Sequence, residues 1–185
     1  MAKRKTKSKS LLLTVIALLC GVLVIVGVIV PFLVSTRVVI GTTTGSTSIG
    51  GFDLMNALFS GDDALTSENV SVMYAWRLMN NDTVGAATKT LAVSALVGFI
   101  AAALGVVAGV LKLVLKKAKL CALGMKACFA LCFVFSVIGM ICGFVIAGNT
   151  GVDLGIAKVT NAVGVGVYLA LVGALGATAA SVLEK

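Results

Sequence analysis

Residues 11–34 read LLLTVIALLCGVLVIVGVIVPFLV, a run without a charge that follows the basic segment MAKRKTKSKS. Such a run covers a hydrocarbon layer of about 30 Å, which takes roughly 20 helical residues. No water reaches the middle of that layer, so the backbone must satisfy its own hydrogen bonds, and a helix is expected although Val and Ile favour strands in water. Pro31 removes one helical hydrogen bond and is expected to bend only the last turn. A basic segment before an apolar one is also the pattern of a secretory signal. This apolar run is too long for one, and Leu19 is too bulky to precede a lipoprotein cleavage site at Cys20. An uncleaved first helix is the expectation.

Three more runs of spanning length follow, at residues 91–111, 127–147 and 162–182. The 185 residues are 59% hydrophobic and only 12% charged, whereas about a quarter of a soluble chain is charged. Lipid is therefore the expected solvent. The expected fold is an all-α membrane protein, a single four-transmembrane-helix bundle over residues 1–185. A small β-containing extracytoplasmic cap, residues 35–88, is expected between its first two helices.

Orientation follows from the basic residues. Lys3, Arg4, Lys5, Lys7 and Lys9 precede the first span; Lys112, Lys116, Lys117, Lys119 and Lys126 flank the link between spans two and three; Lys185 ends the chain. The other side holds only Arg37, Arg77, Lys89 and Lys158, together with the acids Asp53, Asp62, Asp63, Glu68, Asp82 and Asp153. The basic excess marks the cytoplasmic face, so both termini are expected there. The net charge of +8 then reflects topology and not nucleic-acid binding. Lys126, at the edge of the third span, is expected to extend its stem to the headgroups.

The segment from Ser35 to Thr88 is too long for a simple turn. Residues 37–49 are rich in β-branched side chains and interrupted by Gly41 and Gly45, which predicts a short hairpin. Phe52, Met55, Leu58 and Phe59 recur at helical spacing, which predicts a short amphipathic helix on the bilayer surface, ended near Asp62 and Asp63. From Val70 to Leu78 the pattern fits a strand and a helix equally. Tyr74 and Trp76 are expected to anchor or pack the cap. Asn69-Val70-Ser71 and Asn81-Asp82-Thr83 match the glycosylation pattern, which is too short to assign a role.

No catalytic, cofactor-binding or metal-binding set stands out. The chain has no histidine, the commonest general base and metal ligand. Its cysteines, Cys20, Cys121, Cys128, Cys132 and Cys142, lie in or beside apolar runs and read as packing residues. Cys128 and Cys132 share a helical face, but a metal site needs more ligands. The outer carboxylates Asp53, Asp62, Asp63 and Glu68 read as a solvated loop face.

Helices in lipid associate through close packing, so small residues spaced by four are informative. Gly105 and Gly109, then Gly139, Gly143 and Ala147, then Gly166, Ala170 and Ala174 form such sets, whereas the first span offers only Ala17 and Gly21. Spans two, three and four are therefore expected to make the tightest contacts. No ionisable residue lies in the middle of any span; Thr14, Ser94, Ser136 and Thr178 are the main polar groups there.

The order of basic tail, helix, long β-leaning loop with Trp76, two helices joined by a basic link, short loop and a final small-residue helix resembles the claudin-like tetraspan layout. Trp76 stands alone and the loop has no cysteine, unlike the claudin loop signature, so the resemblance implies a layout only. The chain is also similar to small four-helix membrane proteins of Gram-positive bacteria and their wall-less relatives, in which a Gly-Phe element such as Gly51-Phe52 follows the first helix. That likeness implies a plasma-membrane location. The expected function is a non-enzymatic structural or interaction module that presents its cap to a membrane-protein partner, a second copy or the envelope. An oligomeric channel or transporter component is the alternative.

Overall fold

The computed structural model describes residues 2–39, 42–115, 118–153 and 157–184. In chain order the elements are α1 (Ala2–Ile29), β1 (Pro31–Val39), β2 (Thr42–Gly50), α2 (Gly51–Ser60), a 3-10 helix (Gly61–Thr66), α3 (Val70–Met79), α4 (Gly85–Val114), α5 (Ala118–Asn149), β3 (Val152–Asp153), β4 (Ala157–Val163) and α6 (Val165–Leu183). Ile40, Gly41, Lys116, Lys117 and Lys185, which entered the reading of the hairpin and of the charges, lie outside the described residues. Four segments are long and apolar enough to cross a bilayer: Ser10–Ile29, Gly85–Val114, Lys119–Asn149 and Val165–Leu183. The chain has the build of a multi-pass membrane protein.

The first crossing is shorter than the apolar run. Its last helical bond joins the Val30 amide to the Val26 carbonyl at 3.1 Å, and Pro31 then begins a strand. Pro31 does not bend a last turn; it ends the helix, because it lacks an N–H and disfavours the helical conformation of Val30. The fourth crossing is trimmed in the same way: Ala162 and Val163 belong to β4, and α6 begins at Val165.

These two strands meet. β1 pairs antiparallel with β4, beginning at Leu33 opposite Val163, and with β2 on its other edge. The sheet order is β2-β1-β4-β3, the last strand having two residues. The hairpin read at residues 37–49 is thus longer than expected, and Gly45 sits opposite Arg37 at an irregularity in the ladder. The cap draws on both inter-helical links on its side, not only on residues 35–88. The β-containing part expected beside the helices is accordingly a four-stranded sheet built from both links.

Below the sheet, α1 and α6 lie backbone to backbone. A Cβ on Gly166 would stand 2.5 Å from the Gly27 and Val30 carbonyl oxygens, and one on Gly173 would stand 2.8 Å from the Cys20 oxygen. Gly164 is held equally closely: its amide donates to the Phe32 carbonyl at 2.6 Å, and a Cβ there would collide with the Pro31 carbonyl. The tightest contacts are therefore not confined to spans two, three and four: the first span approaches the fourth at backbone distance. Its contact stripe is Cys20, Val24 and Gly27 against Gly166, Ala170 and Gly173, alternating steps of three and four, and a search for spacing four alone passes over it.

Helices α4 and α5 are longer than their partners. Gly109 faces Leu18, Gly21 faces Val106, and Val28 shares a wall with Ala95 and Gly98, so α1 ends level with about residue 97 of α4. About a dozen residues of α4, on the order of 18 Å at 1.5 Å per residue, stand beyond that level. Leu91 and Ser94 face Gly139, so the last ten or so residues of α5 rise beside them.

The cap folds around this projecting pair. Leu54, Met55 and Ala57 of α2, Val72, Ala75, Leu78 and Met79 of α3, Ile49 of β2 and Phe32 of β1 share one core with Leu91, Ala92 and Ala95 of α4 and Ile146 of α5. The buried positions of α3 recur at helical spacing, and the Asn69 side chain accepts the Ser71 amide at 3.0 Å, which settles residues 70–79 as a helix. The α2 helix is amphipathic as read, but its apolar face is committed to this core and not to lipid alone. Phe52, on its exposed side, packs edge-on against Phe99 of α4 with ring centroids 5.4 Å apart.

Candidate functional site

Polar groups converge at two places. The first lies at the end of the bundle opposite the cap, where both chain termini arrive. Antiparallel packing of α1 and α6 brings Glu184, just past the last turn of α6, against the start of the apolar part of α1. Its carboxylate accepts the Ser10 hydroxyl at 2.6 Å and the Thr14 hydroxyl at 2.8 Å on Oε1, and faces the Lys112 ammonium through Oε2. Lys112 comes from the last turn of α4, and its Nζ also lies 3.4 Å from the Thr14 hydroxyl. Lys126, from α5, donates to the Glu184 backbone carbonyl at 3.0 Å.

The Glu184 carboxylate thus joins α6 to α1 and α4, and its backbone carbonyl brings in α5 through Lys126. Glu184 is only 4% exposed, while Leu11, Leu12, Val114, Leu120 and Leu123 at the same end are exposed and apolar. Burial pushes the Glu184 carboxyl up, but the Lys112 ammonium and the hydroxyls of Ser10 and Thr14 outweigh it and hold the group below its ordinary value.

Lys126 is turned onto the end of α6, where it supplies a charge-assisted bond to an otherwise orphaned helix carbonyl. In the sequence Glu184 reads as a tail residue. A signal was present: Ala177, Ala180, Ser181 and Glu184 fall at i, i+3, i+4 and i+7, and all are buried.

The second place is the cap. Tyr74 of α3 accepts from the Ser35 hydroxyl of β1 at 3.4 Å and donates to Asn161 of β4 at 3.5 Å. The Asn161 amide in turn donates to the Thr150 hydroxyl beyond α5 at 2.6 Å. This chain of contacts joins the two links that form the cap. Tyr74 and Trp76 are half-buried against the cap core, which favours the packing expectation over anchoring in headgroups.

Asn69 and Asn81 serve as local caps: Asn81 accepts the Thr83 and Val84 amides at 2.9 and 3.2 Å. Asp53 accepts the Gly50 amide at 2.9 Å at the start of α2. Asp62, Asp63 and Glu68 are exposed, as the loop-face reading expects. In the same stretch Phe59, at 70% exposure, and Leu65 and Val70 are also turned outward. Among the described residues, no three of Cys, Asp and Glu converge as metal ligands would.

Comparison of the sequence with models of known protein families and with curated proteins finds no match.

Proposed function

We propose that the chain is a membrane-embedded structural and interaction module, whose bundle holds the cap rigidly for docking to a partner protein or a second copy. The observation that carries this reading is the exposed corner formed from the end of α2, the 3-10 helix and the start of α3. There Phe59, Leu65 and Val70 are outward-facing on a cap whose core is continuous with α4 and α5. Exposed apolar side chains on a rigid platform are the usual mark of an interaction surface. Asp62, Asp63 and Glu68 in the same segment give it an acidic rim, so the partner surface that fits is an apolar pocket edged with Lys or Arg.

The eleven basic residues on the side of the termini, against four on the cap side, support a plasma-membrane protein with both termini cytoplasmic and the cap outside. A cysteine-free background carrying Ser60→Cys or Lys119→Cys tests the topology with an impermeant thiol reagent on intact cells. Labelling of both variants from outside sinks it.

Docking is tested with a photoreactive residue at position 59, activated in native membranes. A discrete crosslinked product, lost in a Leu65→Ser background that still folds, supports the reading. Monomer alone after irradiation, in every membrane preparation, refutes it.

A further inference from the structure

Where the bundle meets the cap, a cavity opens between all four crossing helices, lined by Val28 of α1, Ser94 and Gly98 of α4, Ser136 and Gly139 of α5 and Val167 of α6. About 20 Å³ of it is open to the centre of a water molecule, more than the roughly 10–15 Å³ that one water needs. The space exists because two glycines face it. Gly98 is buried, yet a Cβ on it would meet nothing within 4 Å, and one on Gly139 would make only ordinary contacts with Leu91 and Ser94.

Ser94 sets this cavity apart from an empty one. In α4 the hydroxyls of Thr88 and Thr90 donate to the carbonyls four residues earlier, at 2.9 and 2.8 Å, the usual refuge of a helical hydroxyl in an apolar setting. The Ser94 hydroxyl has no partner among the described residues, although Ser94 is only 4% exposed. A buried hydroxyl without a partner is destabilising, and a polar wall beside unfilled space is where water is retained while apolar cavities stay dry. Ser136 supplies a second hydroxyl on the α5 wall.

We propose that Ser94 and Ser136 hold one or two ordered water molecules in this cavity, a hydrated node inside an otherwise apolar bundle. The occupant is water and not a lipid chain, because the free space is of water size and one wall carries an unpaired hydroxyl.

The test is water-to-methyl magnetisation transfer by NMR on the full chain in nanodiscs with deuterated lipid tails, read at the methyl of Ala95, which lines the cavity. The expected result is a cross-peak from bound water to Ala95. It falls several-fold in Ser94→Ala, which removes the hydroxyl, and in Gly98→Ala, which fills the space without touching either serine. Absence of the water cross-peak in the unmodified chain overturns the proposal, as does its persistence in both variants. With protonated lipid, a cross-peak from acyl chains in its place also overturns it.

Discussion

Replacing Lys112 with Met removes the charge that faces Glu184 and leaves the carboxylate buried beside two hydroxyls. Breaking a buried pair by deleting one partner costs about 3–5 kcal/mol. Here the loss has a ceiling, because the carboxyl can neutralise itself by taking a proton. From an ordinary value of 4.5, protonation at pH 7 costs about 3 kcal/mol, at 1.36 kcal/mol per pH unit. The expected loss in Lys112→Met is therefore about 3 kcal/mol at neutral pH.

The pH dependence carries a sign. In the unmodified protein the Glu184 carboxyl is held low, so its contribution is present above the unfolded value and is lost as pH falls through the folded one. Stability falls on acidification below about 4.5. In Lys112→Met the buried carboxyl is held high, so the cost shrinks as pH falls from 7 towards 5 and the variant gains relative stability. Lys112→Met combined with Glu184→Gln removes both charges and recovers most of the loss. Unfolding in mixed detergent micelles, followed by circular dichroism at pH 7, 5.5 and 4, reads all three. If Lys112→Met matches the parent within about 0.5 kcal/mol and keeps its pH slope, the cluster does not clamp the helices.

Gly166→Ala forces a methyl against the Gly27 and Val30 carbonyls and should cost about 1–3 kcal/mol. Gly124→Ala in α5, where a Cβ meets nothing within 4 Å, should gain about 0.5–1 kcal/mol from helix propensity; parallel thermal melts compare the two. Phe129 is fully buried between Gly21 and Gly105, and its carbonyl accepts the Thr178 hydroxyl at 2.8 Å. Phe129→Ala should lower stability by about 3–5 kcal/mol, measured by the same denaturation. Asn161→Ala breaks the link between the two halves of the cap and should cost about 1 kcal/mol. Its amide exchange should rise in β1 and β4 while that of α1 stays unchanged.

The four crossings were legible because each is a long stretch with few charges, and lipid forces any such stretch into a helix whatever its β propensity. What the pattern could not fix is where lipid ends. Residues 31–34 and 162–163 are as apolar as the helices they adjoin, yet they are strands. Hydropathy is the same on both sides of the switch; the backbone's hydrogen-bond partner differs, and one of the two partners of β1, the strand β4, lies more than a hundred residues away. The Glu184 cluster was hidden for a related reason: its members come from four helices, and no local window holds more than two of them.

The paired switch has a physical consequence for how the cap is held. An apolar chain in hydrocarbon must bond to itself, but once it leaves lipid it is free to bond to a neighbour. The chain segments that form α1 and α6 change from helix to strand side by side, at Pro31 and at Val163, and remain paired across the change. The 20 residues from Ser10 to Ile29 and the 19 of α6 measure about 30 Å each at 1.5 Å per residue, the thickness of a hydrocarbon core. The switch and the Glu184 cluster thus lie about one hydrocarbon thickness apart, at the two ends of these helices. Between them the Gly27–Gly166 and Cys20–Gly173 contacts hold α1 and α6 at backbone distance. A separation of these two helices would have to open the β1–β4 ladder as well. For that reason the cap should move with the bundle as one body, which is the condition for its outward-facing corner to serve as a docking platform.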